Sequence, residues 1–200
     1  MAENVGYLSF VPSRTGGSWW VGDVVGTVKL ARYIVMAVAA LTAASSLCHA
    51  GKRESAETAF HKLQNLVGEW QGKDERGNLA ETRFAPIASS TAVMETLTMP
   101  GMDDMVTIYS VDLDSIVLMH YCPTNNQPRM RAIPANEPVK ELTFTFLGAG
   151  NLENLSIGHE YRLVIHFGDH DHITERWTWR RAGKDSETVF HFVRVRSAQK

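Results

Sequence analysis

The chain has 200 residues, with 20 Lys and Arg against 22 Asp and Glu, a formal charge of −2, and 44% hydrophobic residues. That length suits one ordinary domain with some chain to spare. The evenly mixed charge supplies neither the basic face that nucleic acid requires nor an acidic tail, so electrostatics names no macromolecular partner.

Residues 1–27 show no sustained helical or strand period. From Val28 the chain reads VKLARYIVMAVAALTAASSLCHAGK, in which Lys29 and Arg32 precede an apolar run from Tyr33 to Leu47 and small residues close the segment at Ala50. A positive head, a short apolar middle and a small residue before the cut form the pattern of a secretory signal peptide over 28–50. The run is shorter than the roughly 20 apolar residues of a membrane span. Because signal sequences begin near the initiator, residues 1–27 read as a non-native upstream extension with the true start downstream, a genuinely long n-region being the rival reading. Cleavage after Ala50 gives a secreted or periplasmic chain. Leu47, bulky where a lipoprotein needs a small residue before Cys48, argues against acylation. The mature chain then keeps one cysteine, Cys122, and no internal disulfide.

A linker and short helix are expected over 51–65, with Ser55 as N-cap and Ala59, Phe60 and Leu63 on one face. Beyond it the period becomes alternating. Strands are expected at 66–73, 79–87, 90–98, 105–112, 115–122, 127–134, 140–147, 160–167, 172–181 and 187–196, separated by turn sequences such as ERGN, PGMDD, PTNN and GDHD. Short connections make sequence neighbours antiparallel partners, and a longer one at 148–159 has the length of a lid. A meander of this kind must close or leave edges open to association. The expected fold is therefore all-β, an up-and-down antiparallel barrel of eight to ten strands spanning 66–197.

Residues 63–72, LQNLVGEWQG, carry a Gly-x-Trp arrangement at Gly68 and Trp70 after the short helix. The mature chain resembles lipocalins and other calycins there. Over 106–122, 126–132 and 175–195 it resembles a group of uncharacterised secreted bacterial lipocalin-like proteins, a domain of unknown function. The resemblance implies that Trp70 closes the barrel base under a basic residue of the last strand, Arg194 or Arg196. It carries no established activity.

Candidate site residues follow from strand parity, with the inward face of each strand left open because a one-residue slip reverses it. Ile116, Leu118, His120 and Cys122 share a face; Glu175, Trp177 and Trp179 share another. Two indoles beside a carboxylate suit an aromatic or cationic guest, and equally a filled barrel. Arg129, if inward, needs an anion, for which Glu95 and Glu175 are internal candidates; the competing arrangement puts it on the surface beside a plain turn. His120 and Cys122, two apart on a strand, lack any motif for the orienting group and oxyanion hole of a nucleophilic pair. HFGDHDH, 166–172, supplies His166, Asp169, His170, Asp171 and His172, which are suitable metal ligands in no strict signature. His191 on the last strand reads as a structural histidine rather than a haem ligand.

These residues specify no cofactor and no oligomeric state. The expected function is non-covalent binding of a small hydrophobic or amphipathic ligand, with Glu95, His120, Cys122, Arg129, Glu175, Trp177 and Trp179 lining or gating the pocket. A metal- or haem-binding barrel and a small-substrate hydrolase or isomerase stand as alternatives.

Overall fold

The computed structural model describes residues 55–134 and 138–196. The expected upstream extension and signal sequence lie outside the described residues. Helix α1 covers 55–64 and presents Ala59, Phe60 and Leu63 to the core. Ten strands follow: β1 (Gly68–Asp74), β2 (Leu79–Ile87), β3 (Ala92–Thr98), β4 (Met105–Asp112), β5 (Ser115–Tyr121), β6 (Gln127–Ala132), β7 (Glu141–Gly150), β8 (His159–Phe167), β9 (His172–Arg181) and β10 (Lys184–Arg194). Each pairs antiparallel with its sequence neighbours, and β1 pairs with β10, so the sheet is a closed up-and-down barrel. No helix among the described residues is long and apolar enough to cross a membrane.

Closure brings β1 and β10 unusually near. A Cβ on Gly72 would run into the His191 carbonyl, so only glycine fits at this point of the seam. At the base, the Arg194 guanidinium lies 4.1 Å from the centre of the Trp70 ring. It also donates hydrogen bonds to the carbonyls of Asn65 (2.8 Å), Val67 (2.9 Å) and His170 (3.2 Å). Trp70 Nε1 donates to Leu66 O at 2.8 Å. The expected closure residue is Arg194, whose register partner is Trp70; Arg196 instead pairs with Asp171 on the surface.

The interior is decided by parity. Ile116, Leu118 and His120 of β5, Met130 and Ala132 of β6, Phe144 of β7, Leu163 and Ile165 of β8, and Phe190 and Phe192 of β10 are all buried. Their burial against mostly apolar neighbours makes the lower half of the barrel a packed core rather than a tunnel.

Two hairpins close on two-residue loops, the one at 113–114 as expected and the one at 182–183 tighter than the expected break between 181 and 187. Lys184 pairs directly with Arg181, so Ala182 and Gly183 form a two-residue loop, both at positive φ (49° and 74°). Asp112 pairs with Ser115, leaving Leu113 at φ 56° and 73% exposed. A leucine there has left-handed backbone strain and no burial to offset it. Leu113→Gly is expected to raise the unfolding free energy by ~0.5–1 kcal/mol, seen as a higher midpoint in urea with unchanged slope; a lower midpoint would show that the turn is not strained.

Candidate functional site

The barrel mouth is the end bearing the 75–78, 99–104, 122–126, 151–158 and 182–183 connections. It opens on a cavity of about 360 Å³, within the usual range for small-molecule sites. One wall is apolar: Met99, Met102 and Met105 come from the β3–β4 connection and the start of β4. Opposite them stand Trp177 and Trp179 of β9 and Phe190 of β10. Polar groups enter from His120 at the end of β5, Cys122 just beyond it, and Glu160 of β8. A groove of about 400 Å³ along Glu69, Gln71, Glu81 and Arg83 runs over the outer wall and reaches neither His120 nor Glu160.

Local packing fixes these groups. Trp179 sits over Gly158, where a Cβ would collide with the indole, and Asn126 Nδ2 donates to Gly158 O at 2.9 Å, tying the β5–β6 turn to the 151–158 connection. That connection is thus a fastened part of the rim. The His120 and Trp177 rings are 4.7 Å apart. His120 Nδ1 is 2.9 Å from Thr107 Oγ1, whereas Nε2 is buried without a partner. Desolvation pushes the His120 imidazole down to about 4, so it is neutral in ordinary buffers. Glu160 Oε2 is likewise buried and unpaired, and burial pushes that carboxyl up to about 7.

Beneath the cavity lies a second polar group. Glu95 Oε2 accepts from Tyr109 Oη at 2.6 Å and Oε1 from Thr82 Oγ1 at 2.9 Å. Glu175 Oε2 accepts from Trp177 Nε1 at 3.1 Å. Glu175 Oε1 is buried with no hydrogen-bond partner. Desolvation raises both carboxyls, but Glu95 accepts from two hydroxyls, whereas Glu175 has only the indole and is raised further by the Glu95 charge. Of the pair, Glu175 is therefore the one that holds its proton to the higher pH. Glu95 and Glu175 are 1% and 0% exposed and do not line the cavity. They serve as a buried cross-brace reaching the mouth through Trp177.

Four of the expected site residues, His120, Cys122, Trp177 and Trp179, thus meet in the cavity, and Glu95 and Glu175 sit together below it. Arg129 does not join them. Its register partner Met119 faces outward, and Arg129 is exposed on the outer wall beside Tyr121 and Leu147. The inward places on β6 go to Pro128, Met130 and Ala132, which an unpaired guanidinium could not occupy cheaply. The histidine-rich hairpin is also set apart. Arg196, then His170, hold Asp171 down at about 2, and His172 pairs with Asp169 at 2.7 Å. Among the described residues no three His, Cys, Asp or Glu side chains converge as a metal site. His191 is exposed on the outer face of β10.

Sequence reasoning missed Glu160 and the methionines. In strict alternation Glu160 falls on the same face as Arg162 and Val164, the outward one. A bulge between Glu160 and Arg162 inserts an extra residue, so Glu160 pairs with inward-facing Trp179 instead. Met102 lies in a segment whose Pro, Gly and Asp residues read only as a turn.

Fold and site together define a small antiparallel barrel, solid at its base and open at its mouth. No protein-family model matches the chain, and no curated protein matches it.

Proposed function

We propose that the protein is a secreted, lipocalin-like binding protein that holds one small, largely apolar molecule non-covalently in its barrel mouth. The observation that carries this reading is the cavity itself: thioethers and indoles on its walls, with His120 and Glu160 each presenting a buried polar atom that lacks a partner. Apolar walls with a few convergent polar groups are what small-molecule sites share. Methionine suits a site that must adapt to its guest, since its side chain is flexible and polarisable. Export is supported by the signal-like residues 28–50. Membership of the calycin group is supported by Gly68 and Trp70 after α1 and by the stacking of Arg194 on Trp70.

The test is titration with the neutral fluorophore N-phenyl-1-naphthylamine. Saturable one-to-one binding is expected, with energy transfer from tryptophan, and Trp177→Ala should weaken it at least about tenfold by removing an aromatic wall. Absence of saturable binding, or binding indifferent to Trp177, would remove the pocket reading. Native mass spectrometry of periplasmic material separates the alternatives: an organic mass supports a carrier, whereas a metal or haem mass overturns the apolar ligand.

A further inference from the structure

The polarity of the hydrogen bonds behind the cavity shows what kind of group its wall is short of. Tyr109 has one hydroxyl proton and gives it to Glu95 Oε2. Thr107 Oγ1 and His120 Nδ1 share one hydrogen bond. A hydroxyl can donate or accept, so neutral His120 is free to take the Nδ1–H tautomer. In that tautomer its buried Nε2 is an acceptor, as is the buried Glu160 Oε2, and neither has a partner.

Two unmet acceptors in an apolar recess are costly to leave so, and a ligand that brings N–H donors and positive charge answers both. On the pocket reading above, we infer that the preferred ligand is an amphipathic amine, its ammonium group held by Glu160 and His120 and its apolar body against Met99, Met105, Trp177 and Trp179. The indoles favour the same sign of charge, since an aromatic face attracts a cation.

The other charged or titratable groups around the cavity are Asp74 and Arg76 from the β1–β2 end and Cys122 beside His120. Asp74 is occupied by the Asn78 side chain at 2.7 Å and by the backbone amides of Asn78 and Arg76. Arg180, adjacent on β9, is bound to Asp185 at 2.6 and 2.7 Å. Glu160 carries no such bond. Because burial places its titration at about 7, it is mostly neutral below that pH and ionised above. Ammonium affinity should therefore rise with pH toward 7, by up to about tenfold per unit, and level off beyond it.

Calorimetric titration of the full chain with 2-naphthylmethylamine, 2-naphthylmethanol and 2-naphthoate holds the apolar body nearly constant while changing the head group. At pH 8 the amine should bind about 10- to 100-fold more tightly than the alcohol. Glu160→Gln should reduce that preference to a few-fold and flatten its pH dependence, and retained binding of the alcohol reports an intact cavity. Equal binding of amine and alcohol, tightest binding of the carboxylate, or a pH slope surviving in Glu160→Gln would overturn the amine inference and leave the pocket standing. Failure of all three to bind would overturn the pocket reading and the amine inference with it.

Discussion

Glu175→Gln is expected to make the protein more stable at neutral pH, although it alters a fully buried hydrogen-bonded carboxyl. The glutamine carbonyl can still accept from Trp177 Nε1, and a neutral amide puts no second charge beside Glu95. What disappears is the need to keep a proton. In the unfolded chain the acid ionises near its ordinary value of 4.5, whereas burial and the Glu95 charge raise it well above that in the barrel. The folded state thus binds a proton that the unfolded state has lost, and stability falls as pH rises. The contribution is complete below about 4.5 and declines by ~1.4 kcal/mol per pH unit above it, until Glu175 ionises in the folded protein. Urea unfolding at pH 5, 6, 7 and 8 should show the variant gaining on the parent at close to that rate. Glu160 and Glu95 are also raised, but both proteins keep them, so their slopes largely cancel in the difference. Glu95→Gln should do the opposite, placing an NH₂ group among the Tyr109 and Thr82 hydroxyls and costing ~2–4 kcal/mol. A Glu175→Gln variant less stable than the parent at pH 7 would show that Glu175 is not held protonated in the folded barrel.

Arg194→Ala should be the more damaging of two arginine deletions at the barrel base. Arg194 covers Trp70 and satisfies three backbone carbonyls, two of them just past α1, with its side chain only 15% exposed. Removing it leaves those carbonyls under-paired and the indole partly uncovered. A loss of ~2–4 kcal/mol is expected, a fall in Tm of roughly 5–12 °C for a domain of this size. Arg194→Lys should recover only part of that loss, because an ammonium cannot stack flat on the indole while reaching three acceptors. Arg196 has the shorter ion pair, 2.5 Å to Asp171, yet is 83% exposed. Its deletion should change stability little, since solvent screens such a pair. Equal losses in differential scanning calorimetry would mean that the stacked clasp contributes nothing special.

Strand positions were legible in the sequence because alternation and turn chemistry agree along the barrel. The expected strand at 172–181 matches β9, and 105–112 matches β4. Parity also assigned partners correctly where strands are regular: Glu175, Trp177 and Trp179 do share the interior face. What parity could not supply was an origin. Whether Arg129 or Met130 points inward depends on total burial, and the apolar set wins because a closed barrel interior has no water for a guanidinium. Tyr109, Thr82 and Thr107 were invisible as a network because the sequence does not show which inward hydroxyls stand opposite Glu95 and His120. Glu160 was hidden for a different reason, since a bulge reverses the alternation on which such a reading depends.

Nine of the ten strand pairings join sequence neighbours, and only β1 with β10 is distant, bringing Trp70 opposite Arg194. The hairpins can therefore form early from local contacts, while this seam must wait for both ends of the chain to meet. Until it does, the molecule is a curled ribbon with two unpaired edges able to recruit another copy. The stacked arginine thus acts as a latch on the slowest part of assembly, and weakening it should promote aggregation during refolding even under conditions where the finished barrel is stable.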